Sequence, residues 1–321
     1  MLRKALAPNS RRSLSTAAKV ASGGLARVRV GGVPEHFNTP WHTAAASGKF
    51  LAAGLKVEWI DYPGGTGAMM GALREGEIDV ALALTEGVVT DLLRGNPSKL
   101  LGTYVSTPLT WGVHVPARSS MQSMADIDGA TYAVSRMGSG SHLMACVDAH
   151  ARGADPRSLL MEIVGSLDGA RKALRNGEAD VFLWEKFTTK FLVDAGEWRR
   201  IGEVPTPWPC FSIVASDAAL ESSGEQLVSM LEVVRAEAAA LRASPECANT
   251  IGLMYGQKDE DITEWLGGVG WSAQPVVSHA TLRHVMSALV DAGVLTQEEL
   301  REPAELLSSL SADGDPGTNA V

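Results

Sequence analysis

Cysteine is scarce in this chain. Its 321 residues hold three, Cys146, Cys210 and Cys247, far apart and odd in number. That excludes a disulfide framework and gives no paired spacing for zinc. The three are expected as structural thiols, most of them buried. Long apolar runs are missing as well: none reaches the ~18 residues that a membrane-spanning helix needs. Positive charge is in deficit, with 28 Lys and Arg against 37 Asp and Glu and a net charge of −9. Neutralising phosphates needs a basic face, so nucleic acid is not the expected partner.

Acid is missing from the start of the chain. Residues 1–24 carry Arg3, Lys4, Arg11, Arg12 and Lys19, and the first carboxylate is Glu35. Serine, threonine and alanine fill most of the rest. No unbroken apolar stretch suits a secretory signal, whereas an Arg-rich, Ser-rich, acid-poor segment suits an organellar transit peptide. A mitochondrial location is therefore expected; the alternative is a disordered basic segment on a cytoplasmic protein. Taking its five positive charges from the net −9 leaves −14.

What remains is ordinary globular material, 45% hydrophobic and 20% charged, long enough for two cores. From Leu25 strands and helices alternate. Strands are expected around Val28–Val30, at Lys56–Tyr62, Asp79–Leu84, Leu100–Ser106 and Trp111–Val115. A second series places them at Thr131–Val134, Met161–Val164, Asp180–Trp184 and Phe211–Ala215. Helices fall between them and then dominate from residue 225 on. Such alternation predicts an α/β fold with mostly parallel sheets covered by helices on both sides. The tail from residue 309 is small and polar and is expected to be disordered.

One phrase occurs twice. Leu73-Arg74-Glu75-Gly76-Glu77-Ile78-Asp79-Val80 is echoed by Leu174-Arg175-Asn176-Gly177-Glu178-Ala179-Asp180-Val181. Each reads as a helix end closed by glycine, then Glu-x-Asp, then a buried strand. With Trp41-His42-Thr43-Ala44, Gly54-Leu55-Lys56-Val57-Glu58, Gly64-Gly65-Thr66-Gly67-Ala68-Met69-Met70, Asp79-Val80-Ala81-Leu82 and Met124-Ala125-Asp126-Ile127-Asp128-Gly129-Ala130, it resembles type 2 periplasmic binding proteins. The branch is the one that binds nitrate, sulfonates, taurine and thiamine-pyrimidine precursors, and within it a eukaryotic group of stand-alone chains. The similarity runs from Val28 to Ala292.

The resemblance implies two doubly wound lobes with a ligand cleft between them. Residues 25–116 with 216–308 would form lobe one and residues 117–215 lobe two, with crossovers near Pro116–Ser119 and Ile213–Ser216. Open α/β sheets bind ligands beyond the carboxyl ends of their strands, and hinge closure would enclose the ligand.

Candidate ligand contacts follow from the strand-end loops. Asn38, Trp41 and His42 sit in the loop after the first strand; the alternative is that its aromatics plug the core. Gly64–Gly67 precedes a helix, where Thr66 and free N–H groups could hold an anion or simply cap a turn. Thr85 and Glu86 follow the strand Asp79–Leu84, and Glu86 could meet an amino-bearing ligand or serve the helix N-terminus. In Ser135–His142 the residues Arg136, Ser139, Gly140 and Ser141 could cradle an anion. No Gly-Lys-Ser/Thr follows, so this is not a phosphate-binding P-loop, and Ser139 lacks the first glycine of a nucleophile elbow. Trp184 and Glu185 occupy the position equivalent to Thr85 and Glu86, and the indole could stack on a flat heterocycle; Trp208 and Phe211 could do likewise.

The expected function is binding of a small molecule, either a flat heterocycle such as a thiamine-pyrimidine precursor or a small sulfonate or carboxylate. No cofactor, metal or catalysis is expected, and nothing identifies a permease partner. Two alternatives stand beside it. One is an enzyme of the thiamine-pyrimidine type, although the cysteine-rich iron-binding run associated with that activity is absent; a triad from His36, His42, Ser139 and Glu86 has no local support. The other is an interaction module that has lost its ligand.

Overall fold

The computed structural model describes residues 25–318 and 320–321. The expected transit peptide, residues 1–24, lies outside them. Eleven strands build two sheets: β1 Ala26–Gly32, β2 Leu55–Asp61, β3 Val80–Leu84, β4 Ser98–Val105, β5 Thr110–Pro116, β6 Thr131–Val134, β7 Leu160–Ile163, β8 Val181–Glu185, β9 Trp198–Pro205, β10 Phe211–Ser216 and β11 Trp271–Gln274. The first sheet has the order β11-β4-β10-β3-β1-β2 and the second β7-β6-β8-β5-β9. Val80–Ala83 and Val181–Leu183 are buried runs, as expected of central strands with helices on both faces.

Each sheet receives one crossover strand that the alternation did not predict to be reversed. β10 runs antiparallel to β3 and β4, and β5 antiparallel to β8 and β9. Both arrive by a crossover from the other lobe and so enter their sheet from the opposite end. This moves the expected lobe boundaries. β5 belongs to the second sheet, so the first crossover is residues 106–109 rather than Pro116–Ser119. β10 belongs to the first sheet, so the return is residues 206–210 rather than Ile213–Ser216. The two crossovers hold each other: the Cys210 N–H donates to the Thr107 carbonyl at 3.0 Å and the Thr206 N–H to the Leu109 carbonyl at 2.9 Å.

β9 and β11 escaped the sequence reading for a common reason. Both are edge strands, and an edge can be polar on its open side, so neither shows a continuous apolar run. The tail departs from the expected disorder. Ala312–Asp313 pairs with Val276–Val277, and Val321 and Trp271 exchange two backbone hydrogen bonds of 2.8 and 2.7 Å.

The doubled phrase has a structural cause. The Asp79 carboxylate accepts the Arg29 N–H at 2.7 Å while the Asp79 N–H donates to the Arg29 carbonyl at 2.9 Å. Asp180 does the same with Thr131, at 2.9 and 2.8 Å. Each aspartate pins the start of a central strand to its parallel neighbour. The glycine before it, Gly76 at φ 69° or Gly177 at φ 76°, turns the chain in the left-handed region that side chains avoid.

Candidate functional site

The cleft between the sheets is a cavity of about 310 Å³, the size of a small-molecule site. Parallel strands bring it the loops after β1, β2, β6, β7 and β8 and the last residue of β3. The reversed strands bring their first residues to the same place: Trp111 of β5 lies opposite Glu185 of β8, and Phe211 of β10 opposite Leu84 of β3. Leu84, Leu109, Trp111, Trp184 and Phe211 form apolar wall.

Seven expected contacts line the cleft: Thr66, Arg136, Ser139, Gly140, Ser141, Trp184 and Glu185. Thr66 is not the helix cap; Gly65 holds that position, and the Thr66 Oγ1 accepts the Leu84 N–H at 3.0 Å. Ser139 does cap its helix, its Oγ lies 3.0 Å from the Ser141 Oγ, and the Ser135 N–H donates to Ser141 at 3.1 Å. Arg136 reaches across the cleft to donate to the Gly64 carbonyl at 3.1 Å. Its guanidinium lies 1.8 Å from where a Cβ on Gly67 would stand, so a side chain there would push the arginine aside. Gly140 likewise admits Leu84 and Trp111, 2.5 and 2.8 Å from its missing Cβ.

The other five expected contacts are not among the residues lining the cleft. Asn38 is buried and donates to the Val33 carbonyl at 2.7 Å. Trp41, 1% exposed, packs with Phe50, Trp59 and Tyr104, and His42 sits edge-on to Trp59. The aromatics of that loop plug the core. Thr85 donates to the Pro209 carbonyl at 2.6 Å. Glu86 is buried behind it and accepts the Trp208 indole N–H at 2.9 Å, so Trp208 too is turned away; burial pushes the Glu86 carboxyl up to about 7.

The sequence reading passed over Glu35, Ser166, Asp168 and Thr188, which also line the cleft. Ser166 and Asp168 follow β7, so the strand-end rule applied to every parallel strand would have found them. Glu35 stands in the same loop after the first strand as Asn38, Trp41 and His42 and is the first acid in the chain. Its side chain is partly buried in the cleft wall. Desolvation pushes its carboxyl up to about 8, the nearby Glu185 acts in the same direction, and a hydrogen bond from Trp184 opposes both. Glu185 is pushed up to about 7 by burial, against the N–H groups of Phe187 and Thr188, which donate to it at 2.9 and 2.6 Å.

Beyond Glu35 the cleft opens into an outer chamber of about 540 Å³, with Pro34, Glu35, Leu167 and Thr188 in the shared wall. Three ion pairs join the lobes along this side: Lys258 with Asp194 at 2.7 Å, Lys190 with Asp261 at 3.2 Å and Lys186 with Glu264 at 2.8 Å. Among the described residues no group of three or more His, Cys, Asp or Glu could hold a metal ion, and no helix is long and apolar enough to cross a membrane. All three cysteines are buried thiols.

Two lobes, two crossovers, a reversed strand in each sheet and a cleft at the strand ends define one architecture. The chain has the type 2 periplasmic-binding-protein fold. A family model described as Ca3427-like PBP matches residues 111–204, the second lobe from β5 to β9. The Candida albicans CA3427 gene product, described as defining a family with the generic periplasmic-binding-protein fold, superposes with a TM-score of 0.83 at 26% identity, over 91% of this chain and 99% of that one. The alkanesulfonate-binding protein SsuA from Xanthomonas axonopodis pv. citri, bound to MOPS, gives 0.74 at 17% identity over 88% and 99%. SsuA from Escherichia coli gives 0.70 at 16% over 90% and 94%. A comparison with curated protein sequences finds no match.

Proposed function

We propose that the protein binds a small organic molecule in the interlobe cleft, its flat part against Trp184, and that the lobes close on it about the paired crossovers. The observation that carries this is the cleft: a space of about 310 Å³ with apolar walls and a few converging polar groups, at the strand ends where open α/β sheets take ligands. A flat heterocycle suits these walls better than a small sulfonate. The sulfonate-binding neighbours invite the second choice, but here Arg136, the cation of the cleft, is engaged with Gly64. Binding without catalysis is the reading because the polar groups needed for a triad stand apart: His36 packs against Phe37 and Trp265, His42 against Trp59, and Glu86 against Trp208.

The test is melting temperature against a panel of pyrimidines, thiamine precursors, sulfonates, nitrate and small carboxylates. A ligand of the folded state at a hundredfold excess over Kd adds ~2.7 kcal/mol, a shift of several degrees. Trp184→Ala is expected to weaken such binding about tenfold, ~1.4 kcal/mol. No shift with any compound, and no small molecule released on denaturing the protein, would favour an interaction module instead.

A further inference from the structure

We propose that lobe two carries a second site, a pocket of arginines at its pole away from the cleft, that binds a phosphoryl-type dianion. The pocket is too far away to share the cleft's ligand: Trp111 lines the cleft and Pro116 the pocket, five residues apart on β5 and so separated by roughly 17 Å.

The pocket has a volume of about 170 Å³ and lies between the end of β5, the later turns of the helix Leu167–Asn176 and the start of β9. Leu174 and Trp198, both buried, give it apolar wall. Its charged lining residues are Arg118, Arg171, Arg175 and Glu197, three positive charges against one negative, in a chain whose net charge is −9. The single carboxylate is shared. Arg171 holds Glu197 by two hydrogen bonds of 3.0 and 2.8 Å, while Arg175 reaches it only at 3.5 Å. Asp168 meets Arg171 at 3.4 Å from outside the pocket and is exposed. Arg118 pairs with no carboxylate among the described residues; it donates to the Arg175 carbonyl, which ties it to the end of that helix. The loop that carries Arg118 is itself fixed, because Arg199 donates to the carbonyls of Ala117, Ser119 and Met121 at 3.2, 2.7 and 2.9 Å. The excess of positive charge in the pocket matches a phosphoryl dianion, and guanidinium forks match its oxygens.

The other lobe shows such a helix without the excess. In the doubled phrase Arg74 stands where Arg175 does, and at the same spacing Met70 stands where Arg171 does. Met70 is buried, and Arg74 has a carboxylate of its own, Asp91 at 2.9 Å. Lobe two instead sets two arginines four residues apart on one helix, where like charges repel, brings a third from the neighbouring loop and supplies one acid to the pocket. Packing does not demand this, since the Arg175 side chain is 62% exposed and Arg118 is exposed too. An incoming dianion removes the repulsion and gives the guanidiniums the acceptors they lack.

The test titrates the full chain with inorganic phosphate by calorimetry, at constant ionic strength balanced with chloride. One phosphate per chain is expected. Arg118→Ala and Arg175→Ala should each weaken it at least about tenfold; both side chains are exposed, so the fold is expected to survive, and melting curves check this. Glu197→Gln should tighten phosphate severalfold, because it removes the one negative charge of the pocket, an opposite sign that a merely structural cluster would not show. Arg136→Ala and Trp184→Ala, in the cleft, should leave phosphate binding unchanged. A phosphoserine peptide that binds tighter than phosphate assigns the anion to a modified partner chain; one that binds no tighter assigns it to the free ion or a small ester. The site is overturned if phosphate gives no saturable heat at millimolar concentration, or if Arg136→Ala abolishes binding that Arg118→Ala and Arg175→Ala retain. Neither result touches the cleft reading, which the ligand panel tests separately.

Discussion

Raising the pH should destabilise this protein in a window where most proteins are indifferent. Glu35 is pushed up to about 8, and Glu86 and Glu185 to about 7, each chiefly by desolvation. A carboxyl with a raised value in the fold contributes its full stability below its ordinary 4.5 and loses it as pH rises towards the folded value. The histidines act at the other end. Burial lowers His36 to about 3 and His114 to about 4, so their contribution is complete above 6.5 and lost as pH falls below it. Between about pH 6.5 and 8.5 the raised carboxyls therefore act without interference. Each costs about 1.4 kcal/mol per pH unit until it ionises. Glu35 thus removes about 2 kcal/mol and the pair Glu86 and Glu185 about 1 more, upper values for a cleft that water can enter. Urea midpoints measured at both ends of the window should fall by that amount in the native chain. Glu35→Gln should keep most of its stability at the alkaline end. A flat profile, or a Glu35→Gln chain with the native slope, would refute the placement of an unpaired carboxyl in a desolvated cleft.

Two further consequences concern the frame around the cleft. The ion pairs Lys258–Asp194, Lys190–Asp261 and Lys186–Glu264 join the lobes near the surface; such pairs contribute roughly 0–1 kcal/mol each and are screened as the Debye length shrinks to about 3 Å at 1 M salt. Solution scattering should show the ligand-free protein expanding at high salt, and the triple variant Lys186→Ala, Lys190→Ala, Lys258→Ala expanded at low salt; an unchanged radius in both would remove the latch. Gly102 lies where a Cβ would stand 2.0 Å from the Gln274 carbonyl oxygen and 3.1 Å from the Pro275 Cα, all backbone. Gly102→Ala must therefore part β4 from β11 and is expected to cost about 3 kcal/mol or more; thermal unfolding within a degree of the native chain would contradict the register.

Much of this protein was legible in the sequence because its signals are local. The apolar runs Val80–Leu84 and Val181–Trp184 read as central strands, since nothing polar interrupts them. The doubled Gly-Glu-x-Asp phrase announced two similar lobes, because each lobe needs the same glycine turn and the same aspartate bridge between parallel strands. The loops Gly64–Thr66 and Arg136–Ser141 were found as cleft residues for a similar reason: each joins a strand to a helix, and that junction fixes where the residues point.

What local pattern does not carry is direction. An apolar strand reads the same whichever way it runs, so nothing in Trp111–Val115 or Phe211–Ala215 told that these strands are reversed, that they belong to the opposite sheets, or that Trp111 and Phe211 begin at the cleft. Nor does a residue's type tell which side of a strand-end loop it takes. Asn38, Trp41 and Glu86 have the chemistry of ligand contacts, yet packing turned them into the core, where Asn38 donates to the Val33 carbonyl and Glu86 accepts the Trp208 indole N–H. Glu35, from the same loop as Asn38, went the other way. The sequence by itself determined the two-lobed α/β frame, because hydrophobic periodicity and glycine turns act within a few residues. Only the tertiary structure decided which carboxyls share the cleft, because that depends on how two separately wound sheets face each other across a pair of crossovers.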